Sequence, residues 1–506
     1  MPTDRPRPPL ELLVFVVGAA TLGAEIAAAR LMAPYFGAST IVWANTIAVV
    51  LVALSAGYWL GGRLADRHPH VRGLCRLVIV AAVLLGAVPL VAGPMLGVSV
   101  EAFDSYSLGA FAGSLVAILV LVALPVLMLG AVSPWALRLR LARVEDSGRV
   151  AGRLYAISTV GSLAGTFLSA LLLIPLAGTQ RTFLVFASAL AIVAAIGLGR
   201  RYVVVPLALA ALLLVPPGAV KAKAGEGRVV VHEAETEYQY ARVVELGNGE
   251  RRLELNEGGA VHSLYRPESV LTGSVWDGFL VVPFAALERA PERIAILGNA
   301  GGTTARAYAR HFPETRIDAV ELDGRLFRIA ERWFGLRDRP QLKRITQDGR
   351  TFLRSTGARY DAIFVDAYRQ PYIPFHLSTR EFFALARERL RPGGALVVNV
   401  GHPPGSVELE RVLSATLAEV FAHQARDPIA PVNTLLIAST QPVGRERLER
   451  AAAELPGELR PLARVSARRL DAPLPGGEVY TDDRAPVEWL IDKSIVEHAA
   501  RGEPLR

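Results

Sequence analysis

Two hydrophobic patterns divide the chain. Residues 10–217 carry long, nearly charge-free apolar runs, whereas residues 225–506 mix short apolar runs with polar stretches as ordinary globular domains do. Six runs, at about 11–33, 40–62, 74–98, 108–136, 150–176 and 180–199, reach the ~20 residues a helix needs to cross ~30 Å of hydrocarbon. A seventh, 202–217, is shorter and holds Pro206, Pro216 and Pro217. So many consecutive apolar helices cannot all be hidden inside one small soluble domain. The pattern predicts a transmembrane helical domain over 1–220.

The remainder reads differently. Residues 229–256 alternate like strands about a Gly247-Asn248-Gly249 turn, which predicts a small antiparallel unit over 228–290. From 291 to 506 strands and helices alternate. RIAILG (293–298), RIDAVELD (316–323), LKRIT (342–346), YDAIFVD (360–366), GALVVNV (394–400) and TLLIAST (434–440) read as strands. Helices are expected through about 311, through about 334, and over 378–390 with Ser378 as N-cap. This alternation predicts an α/β, doubly wound parallel sheet whose ligand lies at the carboxyl edge of its strands.

Composition supports the division. The 506 residues are 52% hydrophobic, and the net charge of +8 is carried almost wholly by the first part: residues 1–220 hold 15 Arg, no Lys and 8 acids. A nucleic-acid binder would concentrate that charge on its soluble domain, so nucleic acid is not expected as a partner. Here Arg63, Arg67, Arg72 and Arg76 cluster in one inter-run segment and Arg138, Arg140, Arg143, Arg149 and Arg153 in another, with only Glu101 and Asp104 between. The positive-inside bias puts both basic segments, and the N-terminus, in the cytoplasm of a multi-pass cell-membrane protein. A true seventh span would put the soluble domain outside; a segment that only dips into the bilayer keeps it cytoplasmic, the side favoured here. MPTDRPRPP at the N-terminus lacks a cleavage signal, so the first run reads as a retained helix. The single cysteine, Cys75, excludes an internal disulfide and a Cys-based metal site. Glu25 and Arg30 inside the first run mark either a polar substrate path or an intrahelical or interhelical ion pair near the membrane edge. Gly161 and Gly165 allow close helix approach.

Candidate chemistry gathers on the strand ends. The turn LGNAGG (297–302), with Gly298, Gly301 and Gly302, lets backbone approach a ligand closely. Glu321 ends the second strand, where an acid suits two ribose hydroxyls. Asp348, followed by Gly349, can meet the exocyclic amine of adenine, and Asp366 ends the fourth strand. Acids spread over consecutive strand ends form a nucleoside fingerprint.

These residues resemble the spermidine synthase (polyamine aminopropyltransferase) family, in particular members fused to a membrane region, over roughly 229–490. YQYARV resembles the segment whose glutamine, here Gln239, contacts the nucleoside donor. LGNAGGTTAR, AVELD and QDGR match its glycine loop, ribose acid and Asp-Gly pair. YDAIFVDAY puts Asp366 where the family has its catalytic aspartate, and YTDDRAPVEWL (480–490) is similar to a block of the fused proteins. The resemblance implies a Rossmann-like, class I methyltransferase-like fold and no permanently bound cofactor or metal. The implied co-substrate is decarboxylated S-adenosylmethionine, putrescine the usual acceptor, and spermidine and methylthioadenosine the products. A homo-oligomer is left open. Separately, GGRLADRHP (61–69) is similar to a loop of major-facilitator transporters, where Asp66 and Arg67 would pair with helix ends.

Departures from the family lie on the amine side. Its loop aspartate is Gly301 here, its second aspartate is Arg369, and a polar group before the first strand is replaced by Trp276 or Asp277. The acceptor site is therefore expected to be rebuilt, with Tyr240, Asp277, Tyr368, Tyr372 and His376 as candidate substrate contacts. Asp482, Asp483, Glu488 and His262 are further candidates. Two other readings share the nucleoside fingerprint: an S-adenosylmethionine-dependent methyltransferase, and a non-catalytic polyamine- or nucleoside-sensing membrane protein.

Overall fold

The computed structural model describes residues 10–36, 40–106, 109–141, 143–215, 227–236, 238–256, 261–368 and 373–500. The chain forms two compact units, Met1–Lys223 with Glu235–Glu237, and Ala224–Ala234 with Tyr238–Arg506.

The first unit is helical. Five of its helices are long and apolar enough to cross a membrane: Leu10–Met32, Val42–Arg67, Val71–Ala92, Val144–Ala177 and Thr179–Leu198. The run expected at 108–136 is a broken helix, Gly113–Leu121 and Ala123–Arg140, bent by 50°. Pro125 lies at the break and has no N–H to give the Leu121 carbonyl, which accounts for the bend. The seventh run falls short. Among the described residues it forms a 3-10 turn, Arg200–Val203, and a nine-residue helix, Val204–Leu212, about 14 Å long at 1.5 Å per residue. Small side chains fill the interior (Ala20, Ala24, Ala27 and Ala28 are fully buried), while Val52 and Leu171 are 68% and 63% exposed on the outside. Large apolar side chains thus lie on the outside of this unit as well as within it. A Cβ on Gly161 or Gly165 would come within 2.2 Å of the Phe15 oxygen or 2.0 Å of the Ala19 oxygen, so both glycines are packing sites between helices. Asp66 pairs with Arg138 at 3.2 Å.

The second unit begins with a four-stranded sheet in the order β1-β2-β3-β4. Its strands are β1 (Arg228–Glu235), β2 (Tyr240–Leu246), β3 (Arg251–Leu255) and β4 (Val261–Tyr265). Gly249, at φ +76°, closes the β2–β3 turn. Arg242 and Glu254 face each other across that hairpin, 2.6 Å apart and both 2% exposed. An ion pair so deeply buried penalises a slipped register.

The main sheet has seven strands: β5 (Arg293–Leu297), β6 (Arg316–Glu321), β7 (Leu342–Thr346), β8 (Tyr360–Val365), β9 (Leu390–Gly401), β10 (His423–Ala430) and β11 (Asn433–Ser439). Their order is β10-β11-β9-β8-β5-β6-β7, the class I methyltransferase arrangement. Strands β5 to β9 are parallel, but β11 runs antiparallel to both β9 and β10. The expected all-parallel sheet is thus corrected at one edge, where a short β10–β11 connection leaves no room for a crossover helix. Helices α1 (Thr303–His311), α2 (Gly324–Phe334), α3 (Gly349–Ser355) and α4 (Arg380–Arg389) follow β5, β6, β7 and β8. The α4 cap is Thr379, whose Oγ1 accepts the Phe382 N–H at 3.3 Å; Ser378, expected in that role, instead donates to the Phe375 oxygen at 2.7 Å. Residues 279–287 pack with Ile294, Tyr308 and Phe364 on one face of the sheet, and Phe383, Leu396 and Leu413 join Leu297 and Ile363 on the other. Strand order reverses between β5 and β8, and ligand crevices form at such switch points.

Candidate active site

The crevice is set by two close approaches. Gly298 follows β5 at φ +92°, and a Cβ there would lie 2.4 Å from the Asp366 carbonyl oxygen and 2.7 Å from the Ala367 Cα. Only glycine lets the ends of β5 and β8 meet in this way. Gly302, at φ +80°, opens α1. Gly301 does a different job from the one expected: its N–H donates to the Ser263 Oγ at 2.8 Å, and a Cβ would stand 2.7 Å from the Ser263 Cβ. It fastens the loop to β4. Gly349 starts α3 below β5, where a Cβ would lie 3.3 Å from the Leu297 Cβ.

Glu321 ends β6 and is 7% exposed. Its Oε2 accepts the Ala300 N–H at 2.8 Å and its Oε1 the Asp323 N–H at 3.1 Å. Burial pushes its carboxyl up to about 7 despite those donors. A carboxylate has about four acceptor positions, so the backbone donors do not exhaust it. Asp323 caps α2 through the Arg325 N–H at 3.0 Å, and the Gln239 Nε2 stands 3.5 Å from its other oxygen. Gln239 and Tyr240, both buried, lie at the start of β2.

Asp348 precedes α3. Its Oδ1 caps the helix, accepting the Thr351 N–H at 2.9 Å, and its Oδ2 is 2.9 Å from the His376 Nε2. The His376 hydrogen bond holds the carboxyl down, at about 2. His376 was expected on the amine side; the structure assigns it to this acid instead.

Asp366, at the carboxyl end of β8, receives two side-chain donors: Asn399 Nδ2 to Oδ1 at 2.7 Å and Trp276 Nε1 to Oδ2 at 3.1 Å. Asn433 Nδ2 in turn donates to Asn399 Oδ1 at 2.9 Å, fixing which way that amide points. Burial pushes Asp366 up to about 7, against the pull of both donors. A base near neutrality is suited to proton transfer at physiological pH.

Two more of the candidate amine contacts have other work, and Tyr372 is not described. Asp277 turns both oxygens on its own loop, accepting from Thr272 N–H and Oγ1 at 2.8 and 2.9 Å and from the Gly273 N–H at 2.7 Å. Such a ring of donors leaves it a loop clamp; its neighbour Trp276 is the residue that reaches Asp366. The Tyr368 hydroxyl donates to the Asn399 oxygen at 2.7 Å and accepts the Gly401 N–H at 2.6 Å. Tyr368 therefore braces the end of β9, and burial keeps its phenol protonated. Tyr372 and Arg369 lie outside the described residues. Asn399 and Asn433 were missed, although an asparagine inside the apolar LVVNV stretch was a signal. Among the described residues no group of three His, Cys, Asp or Glu side chains could hold a metal.

Residues 281–440 match the spermine/spermidine synthase domain. Over 295 residues the chain is 32% identical to a probable polyamine aminopropyl transferase of Bifidobacterium longum, covering 53% of this chain and 65% of that one. Over 179 residues it is 33% identical to a polyamine aminopropyltransferase of Vibrio vulnificus, covering 34% and 59%. The chain thus spans less than two thirds of the length of either relative. A crystal structure of a probable spermidine synthase from Corynebacterium glutamicum aligns with 51% of this chain and 100% of that one, at 23% identity and a TM-score of 0.40.

Proposed function

We propose that this chain, which carries a spermine/spermidine synthase domain, is a polyamine aminopropyltransferase. It takes decarboxylated S-adenosylmethionine as donor and putrescine or a related primary amine as acceptor. The observation that carries the reading is Asp366, held between Trp276 and Asn399 at the strand end beside the nucleoside acids. Glu321 takes the ribose hydroxyls, and Asp348 the adenine amine. An alkylammonium has a pKa near ~10.4 and no free lone pair. Asp366 accepts its proton. The freed nitrogen attacks the carbon beside the sulfonium; the C–N bond forms as the C–S bond breaks, and the bonding pair neutralises sulfur as methylthioadenosine leaves. Raising the base from 3.8 to about 7 narrows the proton-transfer gap by ~3 units, about 4 kcal/mol at 1.36 kcal/mol per unit.

The first unit is read as a multi-pass membrane domain of the fused type. Taking the bent pair as one span beside the five long helices gives six crossings in this reading, an even number. With the basic segments inside, the N-terminus and the catalytic unit both lie in the cytoplasm, where the adenosyl donor is made.

Purified full-length chain given putrescine with decarboxylated or intact S-adenosylmethionine tests the activity. Amine-dependent methylthioadenosine is expected. S-adenosylhomocysteine from intact S-adenosylmethionine would make the protein a methyltransferase, and binding without either product would make it a sensor.

A further inference from the structure

The segment Tyr480–Arg484 lies outside the 281–440 match, yet it is bonded to residues on either side of Asp348 and His376. The Asp482 carboxylate takes a two-pronged grip from Arg350, Nη1 to Oδ1 at 2.7 Å and Nη2 to Oδ2 at 2.6 Å. Thr379 Oγ1 also donates to Oδ1, at 2.8 Å, and the Asp482 N–H donates to Glu381 Oε2 at 3.0 Å. The Arg380 N–H donates to the Tyr480 oxygen at 2.9 Å. These contacts tie the C-terminal segment to the start of α4.

Arg350 reaches the other way as well. It stands two residues after Asp348 in the first turn of α3, and its Nη1 donates to the His376 carbonyl oxygen at 3.2 Å. The His376 ring stands 2.9 Å from Asp348. Asp348 meets the His376 ring, the His376 carbonyl meets Arg350, and Arg350 and Thr379 both meet Asp482, so these contacts link α3, the 375–379 segment and the C-terminal block. Arg350 is 14% exposed and Asp482 47% exposed at the side chain, so the pair sits at the rim. A rim ion pair adds little stability, but a planar fork fixes direction.

We infer that Asp482 is a positioning residue for the adenosyl donor, holding Arg350 and the 375–379 segment so that His376 aims Asp348 at the exocyclic amine of the purine. This rests on the nucleoside-binding reading of the crevice. Asp348 spends one oxygen on the α3 cap and one on His376; a swing of either partner re-aims the acceptor positions left for the ligand. Asp482 touches neither reactant. Its effect belongs in donor affinity and purine discrimination, and Asp366 is left alone.

The test is equilibrium binding of methylthioadenosine and of its 6-oxo counterpart, methylthioinosine, to the purified full-length protein, with kinetics alongside. Wild type prefers the 6-amino purine. Asp482→Ala weakens methylthioadenosine by about tenfold, the effect of one charge-assisted hydrogen bond. It leaves methylthioinosine nearly unchanged, so the preference shrinks. Arg350→Lys, which keeps the charge and loses the fork, shifts the preference in the same direction, and Asp482→Glu restores part of it. At saturating donor, kcat and the KM for the amine stay within about twofold of wild type. Adding Asp482→Ala to Asp348→Ala has no further effect on either ligand. Equal weakening of both purines, or wild-type affinity for both, would overturn the positioning role while leaving the proposed function standing. Failure of wild type to bind methylthioadenosine would overturn the nucleoside reading itself.

Discussion

Replacing Trp276 by Phe isolates one of the two donors that hold Asp366. The indole N–H stands 3.1 Å from Oδ2, and phenylalanine keeps an aromatic ring in the pocket while deleting that N–H. A hydrogen bond to a charged group contributes about 1.5–3 kcal/mol, and one pKa unit corresponds to 1.36 kcal/mol. Losing the donor therefore raises Asp366 by about 1–2 units. From about 7 in the intact site, it moves to roughly 8–9. The sign is fixed: the N–H favours the carboxylate, so its removal favours the acid, and the acidic limb of kcat/KM for the amine moves to higher pH. At pH 7 the ionised fraction falls from about one half to about 1–10%, a rate loss of roughly 5–50-fold that is recovered near pH 9. Methylthioadenosine release from pH 6 to 10 reads this directly, because the titration of the amine itself is common to both proteins. A thermal melt separates out the packing defect left by the smaller ring. Superimposed acidic limbs would refute the assignment of Asp366 as the base.

Other expectations follow from the same geometry. Glu321 sits near 7 because burial disfavours its charge; ribose hydroxyls donate to the carboxylate and lower it, so nucleoside binding at pH 7 releases about half a proton. Isothermal titration in buffers of unlike ionisation enthalpy checks this, and proton uptake would contradict it. The same raised carboxyl makes the ligand-free protein lose stability as pH climbs from about 4.5 to 7, which melts across that range would show and a flat or rising profile would deny. Gly298→Ala places a Cβ 2.4 Å from a backbone oxygen at φ +92° and should cost about 2–4 kcal/mol in stability, seen as a lowered denaturation midpoint; an unchanged midpoint would reject the close approach of β5 and β8. In a Cys75→Ser background, cysteines introduced at Arg143 and at Glu288 should both react with an impermeant thiol reagent only after the membrane is opened, and labelling of intact cells at either would reverse the orientation.

How much was legible in the chain depended on how local the cause was. Strands β5, β6, β8 and β9 were readable because each holds an apolar run ending in a turn or an acid, whereas β7, with Lys343 and Arg344 at its centre, was readable only from its place in the alternation; Glu321, Asp348 and Asp366 were readable as residues at or just beyond strand ends. The direction of β11 was not, since antiparallel and fully buried parallel strands share the same apolar run and only the length of the β10–β11 link tells them apart. Ser378 and Thr379 are adjacent cap formers, and only φ and ψ decide which caps the helix. Asp277 and Trp276 were named together; one sequence position separates a loop clamp from the side chain that reaches the base. His376 belongs to Asp348 through a contact 28 residues apart, and Arg350 meets Asp482 across 132, distances over which no periodicity carries information. The run at 202–217 was apolar enough to suggest a span, but the described helix there ends at Leu212.

The proposed chemistry rests on one carboxylate. Asp366→Asn keeps the shape of the side chain and removes the proton acceptor, and it should be compared with wild type for amine-dependent methylthioadenosine release and for methylthioadenosine affinity on the same preparations. Turnover is expected to fall by about 10²–10⁴-fold with nucleoside affinity within about twofold. An asparagine variant that turns over at the wild-type rate would contradict the assignment.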